Sequence, residues 1–231
     1  MKPLPSAPRV LIVVAHPDDA VLAMGGTLLK LARRGIAITH LALSSGELGA
    51  TRDKVQRAEE LRRIFAACVS IPEAGAPPTL LFADLPDGAV PATGEPVASL
   101  LDLLQGNAGG TAFALAFLHG ANDQHVDHVN AHRIGHRLAR NVDSVLYFDS
   151  WSSLSFAPRL LVEVTDAWPQ RMEMLRMLTA HPQADGMRRV ELKAELCGTS
   201  LKNRPRPTYA EAFEVERLDA SALCRCLGEA P

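Results

Sequence analysis

Aromatic residues are scarce in this chain: 5% of it, with two Trp and two Tyr. A stacking platform for a ring-shaped ligand therefore has few candidates, and Trp151, close behind a strand-like run, is one of them. Charge of one sign is also missing. With 24 Lys and Arg against 26 Asp and Glu, the formal net charge is −2, which leaves no electrostatic case for nucleic acid or an anionic membrane surface. No apolar run approaches the ~20 residues of a membrane span, and Met1–Pro8 lacks the apolar segment of a signal peptide. A cytoplasmic protein is the expectation. The cysteines number four. Cys68 reads as a small core residue, and the Cys224-x-Cys226 pair is tighter than the usual Cys-x₂₋₄-Cys of zinc sites, so all four read as reduced and structural. Internal repeats and low-complexity tracts are absent, and residues 1–231 read as a single domain.

What is present is an alternation of strand and helix signals. Val10–Ala15 is a continuous β-branched apolar run, as expected of a strand buried on both faces. Ala20–Arg34 carries Val21, Leu28 and Leu31 at helical spacing and ends at Gly35. Ile36–Leu43 follows as a strand, and Arg52–Cys68 as a helix with Val55, Ala58, Leu61 and Phe65 on its inner face. Further strands are expected at Thr79–Phe82, Phe113–Leu118, Val145–Phe148 and Leu160–Val164. Helices are expected at Val97–Leu104, Val129–Arg140 and Pro169–Leu178, the last with Met172, Leu175 and Leu178 inward. Tyr209–Val215 is expected to add an edge strand. The Pro- and Gly-rich stretches Pro72–Pro78, Pro86–Pro96 and Asn203–Pro207 read as loops. Together these imply right-handed βαβ units in an α/β fold of three layers with a mostly parallel sheet.

Ligands of such sheets bind beyond the carboxyl ends of the strands. The first strand runs there into Ala15-His16-Pro17-Asp18-Asp19. Helix capping would account for one of these carboxylates, but for neither His16 nor the second acid. Asn122–His128 follows the strand at Phe113–Leu118 and holds His125 and His128, three residues apart with Asp127 between them. Three His or carboxylate ligands with a fourth position left to water are characteristic of catalytic zinc, and His16, Asp19 and His128 supply that set. His132 and His136 continue at four-residue steps from His128, but the helix lacks His-Glu-x-x-His, and polar surface or capping roles suit them. His40, His119 and His181 default to core or surface positions.

These residues resemble the LmbE-like (PIG-L) family of zinc-dependent N-deacetylases. The similarity runs through most of the chain: AHPDD at Ala15–Asp19, Gly25-Gly26-Thr27, Ser45-Gly46-Glu47, Arg57–Leu61, Leu85–Gly88, His125–His128 and Tyr209–Phe213. It implies a Rossmann-like fold and a zinc-dependent hydrolase of a linear amide. Zn²⁺ would be held by His16, Asp19 and His128, with Asp18 as general base. His125 would stabilise the oxyanion or protonate the leaving amine, with Asp127 orienting and charging it. Arg57 and Asp87, with Glu47 on a nearby loop, would meet the sugar hydroxyls.

The implied partner is a small amino-sugar substrate that loses its N-acetyl or related N-acyl group, with no nucleic acid or membrane; a homo-oligomer is compatible with this. Ala20 stands where the family usually has Glu, Val126 where it has Pro, and Gln124 where several relatives have Arg. The loss of that Arg favours a neutral or cationic aglycone. Two alternatives are an amidase acting on a larger sugar-linked conjugate and a non-catalytic metal-binding subunit. A nucleotide-binding domain is disfavoured, because Met24-Gly25-Gly26-Thr27 is not Gly-x-Gly-x-x-Gly and no strand leads into it.

Overall fold

A computed structural model describes residues 8–48, 54–69, 78–93, 95–178, 184–204 and 206–228. The first half alternates as expected: β1 (Arg9–Val14), α1 (Asp19–Arg33), β2 (Ala37–Ser44), α2 (Lys54–Ile64), β3 (Thr79–Leu85), α3 (Pro96–Asn107), β4 (Leu115–His119), α4 (Val126–Leu138) and β5 (Ser144–Phe148). Then come β6 (Leu160–Glu163), α5 (Trp168–Met177), α6 (Ala184–Thr199), β7 (Ala210–Arg217) and α7 (Ala220–Leu227). The sheet order is β3-β2-β1-β4-β5-β7-β6, with β1 to β5 parallel and β7 antiparallel to both neighbours.

The continuous apolar runs arise because both sheet faces are covered. Val10, Ile12 and Val14 of β1 pack under α1, α5 and α7, while Leu11, Val13 and Ala15 pack under α3 and α4. Each such buried side chain contributes ~1.5–3 kcal/mol, so a charge at Val13 would disrupt the centre of the sheet. The order reverses between β1 and β4, which are direct neighbours through Val10↔Leu115 and Ile12↔Phe117. Their carboxyl ends form the switch-point crevice of an open α/β sheet. Gly135 lets α4 lie close to that crevice, since a Cβ there would sit 2.8 Å from Leu118 Cδ2 and 3.4 Å from Val13 Cβ.

Four expectations change. Tyr209–Val215 was expected at an edge, but β7 lies inside the sheet between β5 and β6, and β6 forms the edge. Val55 is 69% exposed, whereas Ala58, Leu61 and Phe65 are buried. The helix leaves α geometry at its end, through a π-helical turn at Phe65–Val69. Helices α6 and α7 were not anticipated, although α7 carries readable signals: Asp219 caps it by accepting from Ala222 N at 2.7 Å, and Gly228 ends it at φ 71°. Arg52, His181 and the Pro72–Pro77 part of one loop lie outside the described residues.

Candidate metal centre and active site

The turn leaving β1 is held by its own polar groups. His16 N donates to Asp19 Oδ2 at 2.8 Å, and Ser44 N donates to Ala15 O at 2.9 Å. Asp18 is the N-cap residue of α1 but makes no capping side-chain hydrogen bond, so capping accounts for neither carboxylate. In the turn beyond the neighbouring strand β4, His125 caps α4, its Nδ1 accepting from Asp127 N at 3.2 Å.

These segments bring His16, Asp19 and His128 together, with one ligand atom from each within 4.8 Å of the others. His16 Nδ1 and His128 Nε2 each lie 3.5 Å from an Asp19 oxygen. The outer nitrogen of each ring has a carboxylate of its own. His128 Nδ1 is 3.1 Å from Asp123 Oδ2, and His16 Nε2 is 3.1 Å from Asp87 Oδ1 and 3.4 Å from Asp127 Oδ2. Carboxylates that orient the far nitrogen of a ligating imidazole are the usual support of zinc histidines. Two other triads, His16–His125–Asp127 and His119–Asp123–His128, are equally close-set, but the Asp123 carboxylate already accepts from Ser150 Oγ, Ser152 Oγ and His125 N.

The electrostatics fit a cation. Burial alone would lower His16 and His128, but Asp19 overrides it for both, with Asp123 adding to His128, and they rise to about 9 and about 10. Burial alone would raise Asp19, but His128, His119 and His16 hold it well below the usual carboxylate range. The cluster thus carries positive charge as imidazole protons that a divalent ion would displace. Burial pushes His119 down to about 4.

The cluster opens into a cleft of about 490 Å³ walled by Leu22, Leu48 and Trp151, with Asp18, Arg57, Asp87, His125, Ser150 and Ser152 also lining it. That volume lies within the ~300–1,000 Å³ typical of small-molecule sites. Several expected residues are placed differently. Arg57 is 5% exposed and donates to Asp18 Oδ2 at 2.9 Å. Asp87 accepts from Leu48 N at 2.7 Å in addition to its contact with His16. Glu47 is not part of the cleft lining; it accepts from Asp87 N at 3.5 Å. Asp127 meets His125 through its backbone N, and its carboxylate, close to the His125 ring, accepts from Gly88 N at 2.7 Å and Val90 N at 3.0 Å.

His132 bonds the His119 carbonyl at 2.9 Å and His136 meets Glu216 at 3.3 Å, both apart from the cluster. His40 is fully buried against Phe65. His119 takes a core position, as expected, and is fully buried against the cluster: its Nε2 is 3.1 Å from both Asp19 Oδ2 and Ala15 N, and its ring stacks on His128 at 4.2 Å. The readable signal for His119 was a polar residue ending a buried strand beside β1. Asp123 had the weaker signal of an Asx-type turn onto His125 N.

Residues 11–139 match the family described as PIG-L, GlcNAc-PI de-N-acetylase. The chain is 38% identical over 64 residues to a diacetylchitobiose deacetylase of Thermococcus kodakarensis, covering 27% of this chain and 24% of that protein. It is 29% identical over 153 residues to a probable N-acetyl-alpha-D-glucosaminyl L-malate deacetylase 2 of Bacillus anthracis, covering 47% of this chain and 66% of the relative. The matched stretches thus span less than two thirds of either relative. In three dimensions the chain resembles GalB, the 4-carboxy-2-hydroxymuconate hydratase of Pseudomonas putida KT2440, with TM-score 0.75 and 17% identity over 92% of this chain and 97% of that one. At that identity the likeness shows a shared fold.

Proposed function

The chain belongs to the PIG-L family, and from that premise we propose that it is a zinc-dependent hydrolase removing the N-acetyl, or a related N-acyl, group from an amino sugar or amino-sugar conjugate. The observation that carries this reading is the His16–Asp19–His128 set at the switch point, with both imidazoles braced by carboxylates and Asp18 beside it in the same cleft. Both sequence relatives bear the names of sugar deacetylases, which supports it. We read the chain as one domain and keep the cytoplasm as its proposed location. No helix among the described residues is long and apolar enough to cross a membrane.

Zinc held by His16, Asp19 and His128 would supply Lewis-acid polarisation of the amide carbonyl and make a water more acidic. The protein supplies the rest. Asp18 takes the proton of the attacking water. Arg57 occupies one Asp18 oxygen at 2.9 Å and so fixes the side chain with its other oxygen available. His125 lines the cleft, and because its Nδ1 accepts from Asp127 N, its neutral form carries the proton on Nε2. That N–H donates a hydrogen bond to the developing oxyanion, and the departing amine takes the proton that Asp18 removed from the water. Asp127 acts through its backbone on His125 and through its carboxylate on the 88–90 loop. Asp87 braces His16, Glu47 braces Asp87, and Trp151 offers a face to the sugar ring.

The fold also serves a hydratase, so the test must read the reaction. Acetate release from a panel of N-acetyl amino sugars, abolished by a chelator and restored by zinc, is the expected result. Release of a longer acid would favour the amidase alternative. No amide cleavage by zinc-loaded protein would overturn the hydrolase reading.

A further inference from the structure

Helix α1 is broken in its middle, and an ion pair from outside joins the two pieces. Met24 sits at φ −144°, ψ 33°. On both sides of the break, backbone groups of the helix take partners from other elements. Arg171 on α5 donates from Nη1 to Val21 O at 3.1 Å and from Nη2 to Leu22 O at 3.0 Å. Glu211 on β7 accepts from Gly26 N at 2.9 Å, Thr27 N at 2.7 Å and Thr27 Oγ1 at 2.6 Å. Arg171 Nε lies 2.8 Å from Glu211 Oε1, and both side chains are 2% exposed.

The glycines make room for this arrangement. A Cβ at Gly25 would lie 3.0 Å from Arg171 Nη1, and one at Gly26 would lie 2.7 Å from Val164 Cβ. Two buried charges are unfavourable unless paired and fully hydrogen-bonded. Here the two charges meet directly at 2.8 Å, and their other bonds go to one helix break, to its backbone and to the Thr27 hydroxyl. The short piece N-terminal to the break, Asp19–Ala23, carries Asp19, and its Leu22 side chain walls the catalytic cleft. Leu22 also walls a second, narrow cleft lined by Arg171 and Glu211, so the splice and the site share a side chain.

We propose that Arg171 and Glu211 are positioning residues for Asp19: they splice the two pieces of α1 at a fixed angle and so set where the carboxylate stands relative to His16 and His128. This rests on the reading of Asp19 as a metal ligand. Neither residue touches substrate or metal. Their effect reaches the site through the Val21 and Leu22 carbonyls.

The test is zinc affinity, measured by competition with a chelating dye on the full chain, beside the thermal midpoint of the metal-free protein. Glu211→Gln and Arg171→Met are expected to weaken zinc binding by roughly tenfold or more, the scale of losing a supporting partner of a metal ligand. Leu104→Ala, in the α3–α4 part of the core, is expected to lower the midpoint and leave zinc affinity unchanged. Folded Glu211→Gln and Arg171→Met variants that bind zinc like the parent would overturn the proposal and leave the pair a stabilising role alone. Where neither variant folds, the near-isosteric Thr27→Val removes only the hydroxyl bond to Glu211. A several-fold loss of affinity then supports the proposal, and unchanged affinity overturns it. If Asp19→Ala binds zinc as tightly as the parent, the metal-site reading has failed and not the splice.

Discussion

Two buried polar clusters among the described residues meet α1, one at its N-terminus and one at the break in its middle, and they are built on opposite principles. At the N-terminus, His16, Asp19 and His128 line a cleft that solvent reaches, with His119 and the side chain of Asp123 buried behind them, and the charges of His16 and His128 depend on displaceable protons. In the helix break, Arg171 and Glu211 are 2% exposed, and apart from each other their hydrogen bonds go to backbone groups of α1 and to the Thr27 hydroxyl. The difference teaches what each is suited to. A cluster with exchangeable positive charge can take up a divalent ion, whereas a cluster tied to the backbone of one helix fixes geometry.

The largest expected effect is at the open cluster. Asp18→Asn should keep zinc and fold yet lower kcat by ~10²–10⁴-fold, the range for a lost general base. Zinc content and turnover measured on one preparation check this. If the variant instead sheds its metal with turnover per zinc unchanged, Asp18 belongs among the ligands. The closed cluster should respond in stability: Arg171→Met leaves Glu211 charged and without its cation, which costs about 3–5 kcal/mol. Denaturant titration of metal-free protein measures it, and a loss under 1 kcal/mol would erase the contrast between the clusters.

His40 sharpens the comparison, because it is buried with neither ring nitrogen hydrogen-bonded among the described residues. Burial lowers its pKa from 6.5 to about 4, against a smaller opposing pull from Asp19. The unfolded chain therefore takes up this proton first, and stability should fall as pH drops from about 6.5 toward 4 and level off below. At 1.36 kcal/mol per unit, the loss is on the order of 3 kcal/mol. His40→Leu should make that part of the stability profile shallower, His119 keeping its own share over the same range, and an unchanged slope between pH 6.5 and 4.5 counts against it.

Smaller effects lie at the margin of the open cluster. Asp123→Asn should weaken zinc binding by roughly 10–100-fold through a loosened His128, read by the same dye competition. An affinity equal to that of the parent would remove Asp123 from the supporting set. His136→Gln, half exposed and paired only with Glu216, should stay within about 0.5 kcal/mol of the parent with full zinc. Any loss of metal would mean that the α4 histidines had been assigned too little.

How much of this was readable in the chain follows from how far apart the partners lie. His16, Asp18 and Asp19 share one turn, and His125 and His128 share another, so local spacing was enough to nominate them. Asp18 and Arg57 are 39 residues apart, and Asp19 and His119 are 100 apart. Nothing local told that the first pair bonds, or that the core position of His119 would be against Asp19 and His128. Arg57 and Asp87 could be placed near the cleft by resemblance, but their actual partners, Asp18 and His16, are decided by loop packing.

The amino-acid sequence by itself determined the strands, because a run such as Val10–Ala15 is apolar at every position only if both sheet faces are covered. It also determined that two polar turns would stand at strand ends, since a carboxylate and an imidazole cannot be left unpaired in the core between those runs. Only the tertiary structure decided that β7 enters antiparallel between β5 and β6, because strand order is set by which faces and edges pack and leaves no local period. Only it decided that Arg171 and Glu211 are core residues. A charged side chain reads as exposed until its counter-charge, here 40 residues later on another element, and the broken helix between them are folded against each other.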